Sequence, residues 1–81
     1  SANNFQPWYF YVVKNDAEML YKIHESYHRD WFDSAPVVIV CCADKKIAWT
    51  RSDGKNYAEI DVAVAIDHLT LTASDLGLAT C

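Results

Sequence analysis

Two short stretches of this chain carry side chains whose type and spacing could do chemistry. His24-Glu25-Ser26-Tyr27-His28 fits the pattern H-E-x-x-H. On a helix, residues four apart share a face, so two imidazoles could bind zinc while Glu25 polarises a water, as in a zinc-dependent hydrolase. Helices of that kind are usually uncharged around the motif, whereas here Arg29 and Asp30 follow at once and His68 is the only other histidine. The pattern reads better as a solvated helix flank, and no metal site is assigned. The second stretch is Ser1-Ala2-Asn3-Asn4-Phe5-Gln6-Pro7-Trp8. It gathers short side chains that both donate and accept hydrogen bonds. They suit the edge of a planar heterocycle bearing carbonyls and ring nitrogens, although capping of a helix end would use the same residues equally well.

Other combinations fail on geometry or spacing. Ser74, His68 and either Asp61 or Asp75 make a hydrolytic triad on paper, but all lie on one expected helix, with Ser74 and His68 on different sides. A triad needs its members to converge on one point. Arg51-Ser52-Asp53-Gly54-Lys55 has a single glycine and lacks the spacing of a phosphate-binding loop, so it reads as an ordinary turn. No side chain is assigned as a nucleophile or an acid–base catalyst.

The elements that must position these residues follow from hydropathy. Trp8 to Val13 is aromatic and β-branched throughout, the composition of a strand covered on both faces. Asn15-Asp16-Ala17-Glu18 gives a helix-start signal, and Leu20, Ile23, Tyr27 and Trp31 follow at helical spacing. Pro36 opens a second interior-type strand, Val37 to Cys42, and residues 43–56 form a polar loop with an Asp53-Gly54 turn. Asn56-Tyr57-Ala58-Glu59 then starts a helix of about twenty residues that Gly77 stops.

At about 100° per residue, that helix carries two polar strips: Asp61, His68, Thr72 and Asp75 on one, Glu59, Asp67, Thr70 and Ser74 on the other. Between them lie a broad apolar face (Val62, Ala65, Ile66, Leu69, Ala73, Leu76) and a narrower one (Ile60, Val64, Leu71, Leu78). A surface helix has one apolar face, so this one is expected to be clamped between two bodies. Two interior strands also have too few neighbours here, because a lone strand pair is marginal in water. The pattern is that of part of a larger sheet or an intertwined oligomer.

Composition bounds the rest. The chain has 81 residues, a net charge of −4 and 52% apolar residues, which fits one small domain and excludes a disordered chain. An acidic balance without a basic cluster argues against nucleic acid as a partner. No apolar run approaches the length of a membrane span. Three cysteines, Cys41, Cys42 and Cys81, read as buried reduced thiols of a cytoplasmic protein rather than a disulfide scaffold.

Taken together, S-x-x-N-x-Q-P-W before an aromatic strand, Arg29-Asp30-Trp31-Phe32, Ala35-Pro36-Val37-Val38-Ile39-Val40, Ala48-Trp49-Thr50-Arg51-Ser52-Asp53-Gly54-Lys55, the run Asp61 to Leu71, and Leu76-Gly77-Leu78-Ala79-Thr80-Cys81 resemble the nitroreductase family of FMN-dependent oxidoreductases. The resemblance covers residues 1–81 as a partial domain without the family's N-terminal and C-terminal parts. It implies an α+β fold with a central mixed sheet flanked by helices, built as an intertwined homodimer with FMN at the subunit interface. It also implies that hydride passes from NAD(P)H through the flavin to a nitroaromatic, quinone or similar small acceptor. On this resemblance Ser1, Asn4 and Gln6 approach the flavin, and Trp49 and Arg51 border the substrate side. The family's arginine-rich phosphate clamp has no counterpart in residues 1–81, so this segment by itself is expected to bind FMN weakly and to be inactive. A zinc hydrolase on His24, Glu25 and His28, or a non-catalytic association module, is the alternative.

Overall fold

A computed structural model describes all 81 residues, Ser1–Cys81. A 3-10 turn (Ala2–Asn4) leads into β1 (Trp8–Lys14), α1 (Ala17–Glu25), α2 (Asp30–Asp33), β2 (Val37–Ala43) and α3 (Ala58–Asp75). The architecture is α+β: β1 and β2 pair antiparallel in a two-stranded sheet, and the Asp44 N–H extends the ladder by donating to the Pro7 carbonyl at 2.7 Å. No helix is long and apolar enough to cross a membrane. The chain divides into two compact units, one of Phe10–Val40 and one of Ser1–Tyr9 with Cys41–Cys81.

In the unit Phe10–Val40, the sequence signals are displaced at both ends of the first helix. Asp16 rather than Asn15 caps it, its carboxylate accepting the Met19 N–H at 3.0 Å, while Asn15 takes a left-handed φ of 57°. A Glu18–Lys22 pair at 3.4 Å spans one turn on the surface. The helix stops at Ser26, whose hydroxyl donates to the Ile23 carbonyl at 2.6 Å and whose N–H bonds the same oxygen. This local bond competes with the helical ladder. Tyr27 and Trp31 therefore do not continue the stripe of Leu20 and Ile23 along one helix. They meet instead through α2, in an edge-to-face cluster of Tyr27, Trp31, Phe32 and His24 with ring centroids 5.1–6.3 Å apart.

The other unit is built on α3. The N-cap is Tyr57, one residue later than the signal at Asn56 places it, and makes no side-chain cap bond; Asn56 supports the start from just outside, its Oδ1 accepting the Ala58 N–H at 2.9 Å. Glu59, expected to reach back to Asn56, pairs with Lys45 at 3.2 Å instead. Ala48, Ala58, Ala73 and Pro7 are the apolar residues taken out of solvent. Val62, Ala65, Ile66 and Leu69 of the broad face are half-buried, whereas Leu76 at its end is exposed. Ile60, Val64 and Leu71 of the narrower face are exposed, and so is Leu78, which lies beyond the helix end rather than on that face. Tyr9 to Val12 of β1, expected to be covered on both faces, are exposed as well: consecutive residues point to opposite faces of the sheet, and neither face is covered along this stretch. None of the cysteines is in a disulfide; Cys41 and Cys42 are half-buried and Cys81, expected to be buried, is exposed.

Gly77 ends α3 as its position suggests. Its φ is +79°, its N–H donates to Ser74 at 3.0 Å, and the Leu78 N–H reaches back to Ala73 at 2.8 Å. This pair of bonds is a Schellman closure, which requires a left-handed residue. A Cβ added at Gly77 would meet no heavy atom within 4 Å, so its cost is conformational. Gly77→Ala is expected to lower stability by about 1 kcal/mol and Gly77→Asn by less, measured by denaturant unfolding. Equal midpoints for all three would contradict the cap.

Candidate functional site

The residues that the sequence marks for binding fall into two clusters, both set at the head of α3. In the first, the 3-10 turn folds Ser1–Gln6 onto itself. The Asn4 N–H donates to the Ser1 carbonyl at 2.9 Å and the Phe5 N–H to the Ala2 carbonyl at 3.3 Å. The Gln6 N–H donates to Ser1 Oγ at 2.9 Å, and Gln6 Nε2 donates to Asn4 Oδ1 at 2.9 Å. Ser1, Asn4 and Gln6 are thus one hydrogen-bonded group, and all three are exposed. The bonds leave the Asn4 amide N–H donors and the Gln6 amide oxygen unused by the chain.

This geometry is held against backbone preference. Asn3, Asn4 and Gln6 have φ of 54°, 54° and 51°. Asparagine tolerates the left-handed region, but glutamine does so rarely, and each such residue costs about 1–3 kcal/mol. Strain of this size persists only where surrounding contacts fix it. One of them comes from far along the chain: Asp61 Oδ1 accepts the Ala2 N–H at 3.1 Å across 59 residues of sequence. The helical wheel assigns Asp61 to a polar strip, yet it is only 5% exposed. Its position at the margin of the broad apolar face, beside Ala65, was the available signal.

The second cluster joins Trp49 and Arg51 to Tyr57. The Trp49 and Tyr57 rings stack edge-to-face at 4.9 Å, and the Tyr57 N–H donates to the Trp49 carbonyl at 2.9 Å. Arg51 donates from Nη1 to the Tyr57 hydroxyl at 3.0 Å and, through Nε and Nη2, to both Asp53 oxygens at 2.9 and 2.6 Å. A small hairpin carries them: Thr50 pairs with Asn56, and Gly54 turns at φ +90°. Asn56 Nδ2 ties it to the Lys45 carbonyl at 2.9 Å. The sequence pattern does not single out Tyr57 or Asp53 as site residues, because ring stacking and a two-residue ion pair leave no periodic signal. No hydrogen bond or ring contact joins the two clusters directly; α3 links them, since the Asp61 N–H bonds the Tyr57 carbonyl at 2.8 Å.

The H-E-x-x-H residues are not carried on one helix. α1 ends at Glu25, so His28 lies beyond the helix and the H-E-x-x-H stretch lacks the shared face that zinc ligation requires. No group of three or more His, Cys, Asp or Glu is placed to hold a metal ion. His24, Glu25 and His28 instead line a shallow cleft with Tyr21 and Asp33. Burial and the neighbouring Cys42 push the Cys41 thiol up, which keeps it protonated and a poor nucleophile.

No protein-family model matches the chain. A curated protein of Archaeoglobus fulgidus, provisionally named NADH dehydrogenase/NAD(P)H nitroreductase, is 33% identical over 87 residues, an alignment that takes in 99% of this chain and 44% of that protein. The chain is thus a distant homologue of a protein so named and spans a little under half its length, which agrees with the resemblance drawn from the motifs.

The forked pair with Arg51, supported by the Lys55 N–H, holds the Asp53 carboxyl below the usual aspartate range. Its stabilising contribution is therefore present above the ordinary pKa and lost as pH falls through the lowered one. In a carboxyl NMR titration, Arg51→Met should return Asp53 toward the ordinary range. An unchanged midpoint would show that the fork does not form.

Proposed function

We propose that this chain is the flavin-edge segment of an FMN-dependent NAD(P)H oxidoreductase, with Ser1, Asn4 and Gln6 holding the rim of the isoalloxazine ring. The observation that carries this reading is the exposed group of three neutral side chains, pre-ordered by its own hydrogen bonds, with amide donors and an amide acceptor left over. That donor set matches the carbonyls and ring nitrogens along one edge of a flavin. The homologue's name supports the same reaction class.

When bound, the flavin supplies the redox chemistry, accepting hydride from NAD(P)H and passing it to a nitroaromatic, quinone or similar oxidised acceptor. The chain's own task is binding and orientation. A turn fixed before the cofactor arrives loses less freedom on binding. Ser1, Asn4 and Gln6 are neutral, so the FMN phosphate takes its charge partners elsewhere in the complete protein. Trp49 offers a flat apolar surface and Arg51 a cation locked by Asp53 and Tyr57, both suited to the substrate side. The two strands belong to a larger mixed sheet, and the exposed narrow face of α3 packs against a second copy in an intertwined homodimer. Cysteines outside disulfides suit the reducing cytoplasm.

Two measurements on the complete polypeptide check this. The purified protein should be yellow and oxidise NAD(P)H with a quinone or nitroaromatic, and Asn4→Ala should raise the FMN Kd about tenfold, the effect of one hydrogen bond. Unchanged flavin retention in Asn4→Ala removes Asn4 from the site; a colourless, metal-free oligomer leaves only an association module. In sedimentation, the wild type should be a dimer, and Leu71→Glu, on the exposed face, should dissociate it. A wild-type monomer, or a variant that stays dimeric, contradicts that interface.

A further inference from the structure

Asp61 is the only buried charged residue of the chain, 5% exposed. A carboxylate is costly to bury unless its oxygens are satisfied. Here Oδ1 has one partner, the Ala2 N–H at 3.1 Å, and Oδ2 is buried with none in the chain. A residue so placed contributes little to folding through its charge. What it does contribute is a fixed point: α3 is the longest element, and the Asp61 N–H is bonded within its first turn to Tyr57 at 2.8 Å. The carboxylate thus connects a rigid helix to the second residue of a turn with three left-handed non-glycine residues.

We propose that Asp61 is the positioning residue of the Ser1–Gln6 turn, its buried carboxylate holding Ala2 so that Ser1, Asn4 and Gln6 keep the spacing in which they bind. The turn's own hydrogen bonds run between residues 1 and 6 and cannot fix its orientation on the rest of the unit. The bond to Ala2 can. In its consequence for FMN the inference rests on the function proposed above, whereas the anchor itself does not.

The test uses the complete polypeptide with two readouts: hydrogen exchange of the Ala2 amide in the cofactor-free protein, and FMN affinity from flavin fluorescence. Asp61→Ala should speed Ala2 exchange and raise the FMN Kd, each about tenfold, as for one lost hydrogen bond, with helical circular dichroism unchanged. Asp61→Asn keeps an oxygen acceptor and should restore both to within about threefold. Unchanged Ala2 exchange in Asp61→Ala overturns the anchor whatever the flavin does. Faster exchange with unchanged FMN affinity overturns the positioning role. A wild type that binds no FMN while Asp61→Ala still releases Ala2 upholds the anchor and defeats the flavin reading instead. If Asp61→Ala does not fold, Asp61→Glu, which displaces the carboxylate by one methylene, decides: exchange and affinity equal to wild type overturn the proposal.

Discussion

Burial in this chain is limited by how few side chains face one another across its elements. Ala48, Ala58, Ala73 and Pro7 are out of solvent, whereas Tyr11, Tyr21, Leu71, Leu76 and Leu78 are each more than 60% exposed. Apolar surface left in water forfeits about 25 cal/mol per Å², and in a chain this short such losses are comparable with the whole margin of stability. The two-stranded sheet adds unpaired edges to the same deficit. The exposed groups lie on β1 (Tyr11), on α1 (Tyr21), on the narrow side of α3 (Leu71) and just past its end (Leu76, Leu78).

The same shortage gives the head of α3 its importance. With little hydrocarbon to lock the chain, polar contacts define the local geometry there: Asn56 accepts the Ala58 N–H and ties back to Lys45, Tyr57 gathers Trp49 and Arg51, and Asp61 reaches Ala2. Two candidate binding clusters thus take their positions from successive turns of one helix. On the function proposed above, the cofactor rim would meet side chains whose spacing is fixed in advance, and pre-organised donors bind better than mobile ones.

Much of this was legible in the sequence, where the controlling interactions are local. The positions of both strands, the start of α3 to within two residues of Asn56 and its stop at Gly77 follow from composition and from turn chemistry, whereas the expectation that the strands are covered on both faces does not hold for β1. The group Ser1, Asn4 and Gln6 is legible as a donor-rich stretch, and its motif led to the same family name as the Archaeoglobus homologue. What escaped is non-local or competitive. Ser26 ends α1 through a single side-chain bond that periodicity does not register. Asp61 looks solvated on a helical wheel because its partner lies 59 residues away; the turn at Asp53-Gly54 was legible, but the pairing of Arg51 with Asp53 and Tyr57 across it was not.

On the function proposed above, Ser1, Asn4 and Gln6 meet the flavin. Side-chain amide NMR of the complete polypeptide during FMN addition addresses it directly. The account predicts that the Asn4 and Gln6 side-chain amide signals shift and saturate together with flavin binding, while the rings of Tyr21 and His24 in the unit Phe10–Val40 stay unmoved. Saturable shifts confined to Tyr21 and His24, with Asn4 and Gln6 silent, would contradict it.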